Sequence, residues 1–197
     1  NGDWGSNVRG LSIEFEGNAS DITGLKKGTY SLKETAAPDG YKVVSEFTFE
    51  INDDGGLEKV TVSTEGDKVT SKGDVITITD DISDISITKY DVTDGKKELS
   101  GAELTITGSS SADWAAIAEN SSEGVKAIEN GLTWTSGDTA VHIKGLPDGE
   151  YTLHEKGTDG KTAINGKEYY VIESDVKFTI DNGVIVKKGE TSLTDGS

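Results

Sequence analysis

The sequence predicts an all-β protein made of two related sandwich or barrel domains in tandem. Short runs of alternating apolar and polar residues recur along the chain, separated by Gly, Asp and Asn, which is typical of such folds. The chain also resembles itself, because Gly10–Glu34 aligns without gaps to Gly131–Glu155 at an offset of 121 residues (155 − 34). Similarity over several predicted strands indicates a repeated structural unit.

The predicted strands share a two-residue alternation of apolar and polar side chains. They are Leu11–Phe15, Thr29–Glu34, Phe47–Ile51, Lys59–Ser63, Val75–Thr79, Ile85–Asp91, Ala102–Thr107, Leu132–Thr135, Ala140–Lys144, Glu150–Glu155, Lys177–Ile180 and Val184–Lys188. The exception is Ser111–Asn130, which predicts one or two short helical turns with Ser111 or Asp113 as the N-cap.

The boundary between the two domains is predicted within Asp80–Asp84, which divides the chain into residues 1–82 and 83–197. The second domain opens with a strand at Ile85 that has no counterpart in the first. The first domain closes with the strand Val75–Thr79, which has no counterpart in the second. We therefore expect each domain to lack one terminal strand, at the outer end of the chain.

Charge and composition exclude several classes of function. The 197 residues carry a net charge of −17, with 19 basic against 36 acidic residues. This disfavours nucleic acids and anionic membrane surfaces, which bind clustered Lys and Arg. No Cys is present, so disulfides and thiolate metal sites are excluded. Because phosphate-loop, zinc and calcium-loop patterns are also absent, we expect no cofactor and no metal.

Ionisable residues end the apolar stripe of several predicted strands. Glu34 shares a face with the apolar residues of its strand, and Glu155 repeats this placement in the second domain. Lys89 and Asp80 each follow two isoleucines at a spacing of two. One interpretation is that each residue lies where its strand leaves the core for water, because Lys, Glu and Asp are almost never buried unpaired. The recurrence of the Glu favours a second interpretation.

A buried set of Lys, Glu and Asp has a specific chemical use. Burial lowers the pKa of an amine and raises that of a carboxyl group. A neutral amine is a nucleophile, and a protonated Glu can polarise the carbonyl of a neighbouring Asp or Asn. The product would be an isopeptide bond, which closes a long loop without cysteine.

The residues around these positions match a known family. The stretch "GTYSLKETAAPDGY", followed by "FTFEI", and the opening "ITKYDVTDGKKELSGAELTI" closely resemble the B-type repeat domains of the collagen adhesin Cna. The resemblance covers nearly the whole chain. It implies two tandem immunoglobulin-like β-sandwich domains with autocatalytic Lys–Asn or Lys–Asp bonds, as in Gram-positive adhesins, pilins and surface stalks.

The resemblance also assigns roles to residues. In the second domain it implies Lys89 as the amine and Glu155 as the helper, with an acceptor on a last strand that the sequence does not reach. Asn182 would serve only if "FTIDN" closed this domain, and the repeat alignment argues against that. In the first domain it implies Glu34 as the helper and Asp80 as the acceptor, with the Lys strand preceding residue 1.

We therefore expect a structural stalk or fibre segment of a bacterial cell-surface adhesin or pilus, extracellular or attached to the cell wall, and not an enzyme. Its partners would be neighbouring domains or subunits of the same protein or fibre. One alternative is a ligand-binding head that uses the Gly108–Asn130 insertion to bind a host matrix protein or a glycan. Another is a subunit that polymerises by strand complementation and covalent linkage in trans.

Overall fold

Short strands dominate the chain in the computed structural model. The structure describes residues 11–15, 18–64, 66, 68–91, 94–108, 112–156, 161–164, 167–170, 175–188 and 191–192. The chain forms two compact units, of which the first comprises Asn1–Pro38 and Lys42–Asp81. The second comprises Asp39–Tyr41 and Ile82–Ser197. The predicted all-β fold with two related domains is confirmed.

The first unit contains a four-stranded sheet in the order β2-β1-β8-β7 and a three-stranded sheet in the order β3-β5-β6. Its strands are β1 (Leu11–Phe15), β2 (Asn18–Ile22), β3 (Gly28–Leu32), β5 (Phe47–Ile51), β6 (Leu57–Val62), β7 (Lys68–Lys72) and β8 (Val75–Thr79). The division between the two units falls within two short strands, β4 (Tyr41–Lys42) and β9 (Asp81–Ile82). Strands β1 and β8 run parallel. The core is built by alternating residues, and its buried members are Val44, Phe47, Phe49, Ile51, Ile76 and Ile78.

The second unit contains a seven-stranded sheet in the order β14-β15-β13-β17-β20-β21-β22 and a separate pair β10-β16. Hairpins β11-β12 and β18-β19 complete it. Its strands are β10 (Asp84–Ile87), β11 (Tyr90–Asp91), β12 (Asp94–Glu98), β13 (Glu103–Thr107), β14 (Lys126–Ile128), β15 (Gly131–Thr135), β16 (Val141–Lys144), β17 (Gly149–Glu155), β18 (Lys161–Ile164), β19 (Lys167–Tyr170), β20 (Asp175–Asp181), β21 (Val184–Lys188) and β22 (Thr191–Ser192).

The predicted helical turns form one helix, α1 (Trp114–Asn120). Asp113 is the N-cap, and its carboxylate accepts a hydrogen bond from the Ala116 amide at 3.1 Å. This satisfies one of the amides that have no partner within the helix. Trp114 and Ile117 are buried, so the helix packs its apolar side onto the core of the second unit.

The repeat seen in the sequence is reproduced in three dimensions. Tyr30 lies opposite Phe49, and their rings stack with centroids 5.5 Å apart. Tyr151 and Phe178 stack in the same way at 5.4 Å. The Tyr30 hydroxyl donates to a backbone carbonyl four residues earlier, and the Tyr151 hydroxyl does the same. Strand pairs β3–β5 and β17–β20 are therefore equivalent.

Several strand boundaries differ from the predicted ones. The strand predicted for Thr29–Glu34 ends at Leu32, and the strand predicted for Ile85–Asp91 is divided into β10 and β11 with Lys89 between them. The strands β2, β7 and β14 were not predicted, because their sequences "NASDI", "KVTSK" and "KAI" lack a clear alternation. Pairing with a neighbouring strand fixes such segments, in preference to local propensity.

Close approach of two strands makes a glycine necessary at the start of β15. A Cβ atom at Gly131 would overlap the carbonyl oxygen of Ile106 on β13, and a backbone atom cannot move aside as a flexible side chain can. We expect Gly131→Ala to lower the free energy of unfolding of the second unit by about 2–4 kcal/mol. Denaturant unfolding followed by the fluorescence of the buried Trp114 and Trp134 measures this loss.

The matched control is Gly137→Ala, because a Cβ atom there would lie 4.0 Å from its nearest neighbour, the Thr139 nitrogen. This variant should unfold within about 1 kcal/mol of the unchanged protein, in the range of an ordinary surface substitution. Equal losses for the two variants would contradict the assigned close contact.

Candidate functional site

The four residues singled out in the sequence all lie at the ends of strands. Glu155 is the last residue of β17, and Lys89 lies between β10 and β11, both in the second unit. In the first unit, Glu34 lies two residues beyond β3, and Asp80 lies between β8 and β9. The structure thus brings the residues together as two pairs, one in each unit.

In the second unit, Lys89 and Glu155 form a largely buried ion pair. The Lys89 Nζ donates to Glu155 Oε2 at 2.7 Å. The side chain of Glu155 is 6% exposed and that of Lys89 is 23% exposed. Burial of a carboxylate is costly unless it is paired, so the amine and the carboxylate hold each other at this position.

The alternation of β17 explains why this carboxylate is buried. Tyr151, Leu153 and Glu155 share one face, and Glu155 lies opposite Leu104 on β13. The backbone near the amine is also fixed, because the Lys89 carbonyl accepts from the Leu99 amide at 2.7 Å. Both ends of the ion pair are therefore positioned by the sheet and not by their own flexible side chains.

One oxygen of Glu155 is left unused. Oε1 is buried and has no hydrogen-bond partner among the described residues. An unsatisfied buried acceptor costs about 1–3 kcal/mol, more when it is charged. A hydrogen-bond donor, or a group that shares a proton with it, would satisfy this oxygen.

Asn182 does not supply that group within its own unit. It lies in the turn that joins β20 to β21, and Gly149 at the first end of β17 pairs with Ile180 just before this turn. Glu155 lies at the other end of β17, six residues along, which is about 20 Å. Asn182 and Gly183 both have positive φ, 49° and 67°, as a two-residue hairpin turn requires.

In the first unit, Glu34 contacts another carboxyl group instead of an amine. Its Oε2 accepts from the Val44 amide at 2.7 Å, a partner that the strand pattern did not predict. Burial raises the pKa of Glu34, while the Val44 hydrogen bond opposes this rise. The nearby charge of Asp80 and a side-chain hydrogen bond with Asp80 raise the pKa of Glu34 further. The two carboxyl groups therefore favour sharing a proton.

The registers of β1 and β10 can be compared through their antiparallel partners. Leu11, Ser12 and Ile13 lie opposite Ile22, Asp21 and Ser20. In the second unit, Ile85, Ser86 and Ile87 lie opposite Ile143, His142 and Val141, which are the repeat partners at the offset of 121. In register, β1 therefore takes the place beside β2 that β10 takes beside β16, at an offset of 74 (85 − 11), although the sequence repeat aligns β1 with β15. The expectation that the Ile85 strand has no sequence counterpart in the first domain is unchanged, and Phe15 falls at the register position of Lys89.

Other chemistry finds little support in the described residues. The exposed His142 and His154 lie on separate strands and contact Asp84 and Asp175. Within the ranges given above, no group of three or more His, Cys, Asp or Glu could hold a metal ion. No helix in the described part of the chain is long and apolar enough to cross a membrane.

The Gly108–Asn130 insertion turns its large apolar side chains inward. Trp114, Ile117 and Val125 are buried in the core of the second unit, and Ile128 is the exposed large apolar residue of its described part. The predicted helix in this insertion is therefore a structural cover over the core.

Comparison with known families identifies the fold. The sequence model of the SpaA prealbumin-like fold domain matches residues 6–66 and 83–192. The chain belongs to this family. The two matched segments of the SpaA-type chain fit tandem domains, and the match confirms the predicted resemblance to Cna B-type domains. No curated protein matches the chain.

Two solved structures match most of the chain. A C-terminal fragment of pilus adhesin SpaC from Lactobacillus rhamnosus GG, soaked in iodide, is 19% identical with a TM-score of 0.34, and the match covers 91% of the SpaA-type chain and 75% of the fragment. The TIE protein of Bacillus anthracis is 23% identical with a TM-score of 0.27, over 85% and 29% of the two chains.

The raised pKa of Glu34 gives a testable dependence of stability on pH. A carboxyl group that binds its proton more tightly when folded stabilises the fold below its unfolded pKa, and this stabilisation is lost as pH rises through the folded pKa. Glu34→Gln keeps an acceptor for Val44 and stays neutral at every pH. We expect it to stabilise the first unit at pH 7, an advantage that disappears in acid.

Hydrogen exchange of the β5 amides (Phe47–Ile51) measures the stability of the first unit separately. The exposed Glu46, mutated to Gln, controls for the loss of one negative charge. An advantage of Glu34→Gln that grew at low pH would contradict the assigned direction.

Proposed function

We propose that the chain is a structural segment of a bacterial surface fibre or stalk whose second unit is locked by an isopeptide bond at Lys89. The observation that carries this proposal is the 2.7 Å contact between Lys89 Nζ and the buried carboxylate of Glu155. Glu155 is the proton carrier, and the acceptor is the side-chain carbonyl of an Asp or Asn on a strand beside β10.

The reaction follows from the contact. Glu155 takes a proton from the Lys89 ammonium, and the neutral amine attacks the side-chain carbonyl carbon of the acceptor. The protonated Glu155 donates to the developing oxyanion and passes this proton to the leaving group. Glu155 then takes the second proton that the attacking nitrogen loses as it becomes the amide, and passes it on in the same way. An Asp acceptor releases water and an Asn releases ammonia, and in both cases an amide forms. Each site reacts once, so the protein is not an enzyme in the ordinary sense.

The proposed isopeptide bond has a mechanical role, because it closes the domain covalently. The chain contains no Cys, so an isopeptide bond is the available covalent closure of each domain. Membership of the SpaA prealbumin-like fold family and the motif resemblance to Cna B-type repeats support an extracellular, cell-wall-attached location. The partners are then neighbouring domains or subunits of the same protein or fibre.

A ligand-binding head at the Gly108–Asn130 insertion receives less support. Trp114, the residue best suited to an exposed contact, is only 7% exposed. An aromatic side chain held in the core cannot form a binding platform for a glycan or a matrix protein.

Removing the proton carrier tests the proposal. We expect Glu155→Ala to abolish the branched peptide that contains Lys89 in a protease digest of the mature surface protein, as detected by mass spectrometry. The physical reason is that, in the described part of the chain, Glu155 is the carboxylate that contacts the Lys89 amine. Lys89→Arg should abolish the same peptide, because the nucleophile itself is lost.

The matched control is Glu103→Ala, which removes a carboxylate from the neighbouring strand β13. Glu103 is 56% exposed and pairs with Lys156 on the surface, so the branched peptide should persist in this variant. In the first unit, Glu34→Ala should abolish any bond at Asp80 while leaving the bond at Lys89. Retention of the Lys89 branch in Glu155→Ala would contradict the proton-carrier role.

A further inference from the structure

The seven-stranded sheet of the second unit carries a cleft on its outer face, which is the face turned away from the core. The cleft has a volume of about 500 Å³ and crosses strands β13, β17, β20 and β21. The polar side chains that line it are those of Thr107, Glu150, Thr152, Lys177, Thr179 and Lys187. Because Glu155 lies on the inner face, this cleft is separate from its contact with Lys89.

Two neighbouring cross-strand rows build the cleft. The first row consists of Thr107, Thr152 and Lys177, and the second consists of Glu150, Thr179 and Lys187. Adjacent strands are about 5 Å apart, and successive residues on one face of a strand are about 7 Å apart. The rows therefore form a compact grid of hydroxyl, ammonium and carboxylate groups, on the scale of a sugar ring.

The charged groups of this cleft do not all neutralise one another. In the described part of the chain, no carboxylate lies within ion-pair distance of Lys177, and no amine lies within that distance of Glu150. Lys177 is exposed, while Lys187 and Thr179 beside it are partly buried. Two lysines against one glutamate make the cleft locally positive in a chain whose net charge is −17.

The first unit has a different arrangement at the equivalent positions. Thr48 takes the place of Lys177, at the repeat offset of 129 residues (177 − 48). Glu50 lies directly opposite Lys59, so opposite charges face each other across the two strands. The locally positive grid is therefore a feature of the second unit and not of the repeated fold.

We propose that this cleft binds a saccharide that carries an anionic group, either a carboxylate or a sulfate. The anionic group lies between Lys177 and Lys187, whose ammonium groups form charge-assisted hydrogen bonds with it. The sugar hydroxyls bond to Thr107 and Thr152, which can both donate and accept.

The Glu150 carboxylate favours a saccharide over other anions. It accepts hydrogen bonds from sugar hydroxyls, and it repels a second negative charge placed beside the first. The described residues on this face of β13, β17, β20 and β21 include no aromatic side chain, since Tyr151 and Phe178 are buried in the core. Charge and hydrogen bonds therefore select the ligand, without ring stacking.

A single cleft of this kind binds weakly, because exposed charges are screened beyond about 8 Å at physiological ionic strength. A fibre that repeats the chain would present many clefts to one polysaccharide, and such multivalency raises the overall affinity. The binding itself does not rest on the proposed isopeptide bond.

Titration of the full chain, followed by amide chemical shifts, tests the inference with matched ligands. Glucuronate and glucose differ in that a carboxylate replaces the hydroxymethyl group. We expect millimolar glucuronate to shift the amides of Thr152 and Lys177, and glucose at the same concentration to leave them unchanged. Glucose 6-sulfate carries the other anionic group, and the tighter of the two acidic sugars identifies the preferred one. Acetate has no hydroxyls and should bind about tenfold more weakly than glucuronate.

Substitutions locate the binding on the protein. Lys177→Gln should weaken glucuronate binding about tenfold, and Thr152→Val, which keeps the side-chain shape, about threefold. The matched control is Lys126→Gln, which removes an exposed lysine from β14 on the same face and should leave binding unchanged. Lys89→Arg should also bind normally, so that failure of the isopeptide proposal and failure of this inference are distinguishable.

Three results would overturn the inference. Equal binding of glucose would remove the role of the anionic group, and equal binding of acetate would remove the role of the hydroxyls. Shifts that are absent from the cleft, or a loss of binding in Lys126→Gln as large as that in Lys177→Gln, would show that the cleft is not the site.

Discussion

The arrangement of Lys89, Glu155 and the strands that carry them depends on the burial of the Glu155 carboxylate. A carboxylate has two oxygens that each require a partner, and removal from water makes an unmet requirement expensive. Lys89 satisfies Oε2 from the segment after β10, and the alternation of β17 prevents the side chain from turning outward. The positions of β10, β13 and β17 are thereby tied to the contact between Lys89 and Glu155.

The two units place different groups beside the glutamate at the repeat position. A glutamate at the repeat position meets an amine in one unit and a second carboxyl group in the other. In the second unit the charge of the glutamate is balanced by Lys89, whereas in the first the neighbouring Asp80 contributes to a raised pKa of Glu34. The same strand frame therefore holds an ion pair in one unit and two neighbouring carboxyl groups in the other.

Much of the fold could be predicted from local pattern. The alternation in "FTFEI" and "VITIT" gave strands at the observed positions, and the Tyr30 and Tyr151 repeats gave equivalent strand pairs. The pairing of Lys89 with Glu155 followed from apolar faces and the family motif. The pairing of β1 with β8 could not be predicted, because register depends on long-range contacts between strands of similar alternation. The same holds for the Val44 amide beside Glu34, which a turn between β3 and β5 positions.

The parallel pairing of β1 and β8 has a mechanical consequence for the first unit. Tension that enters through the beginning of β1 and leaves through the end of β8 acts along the two strands in opposite directions. The evenly spaced hydrogen bonds between them are then loaded together in shear, and none can open ahead of the others. The first unit resists extension because its hydrogen bonds are loaded together, whereas an isopeptide bond would resist extension through the strength of a covalent bond.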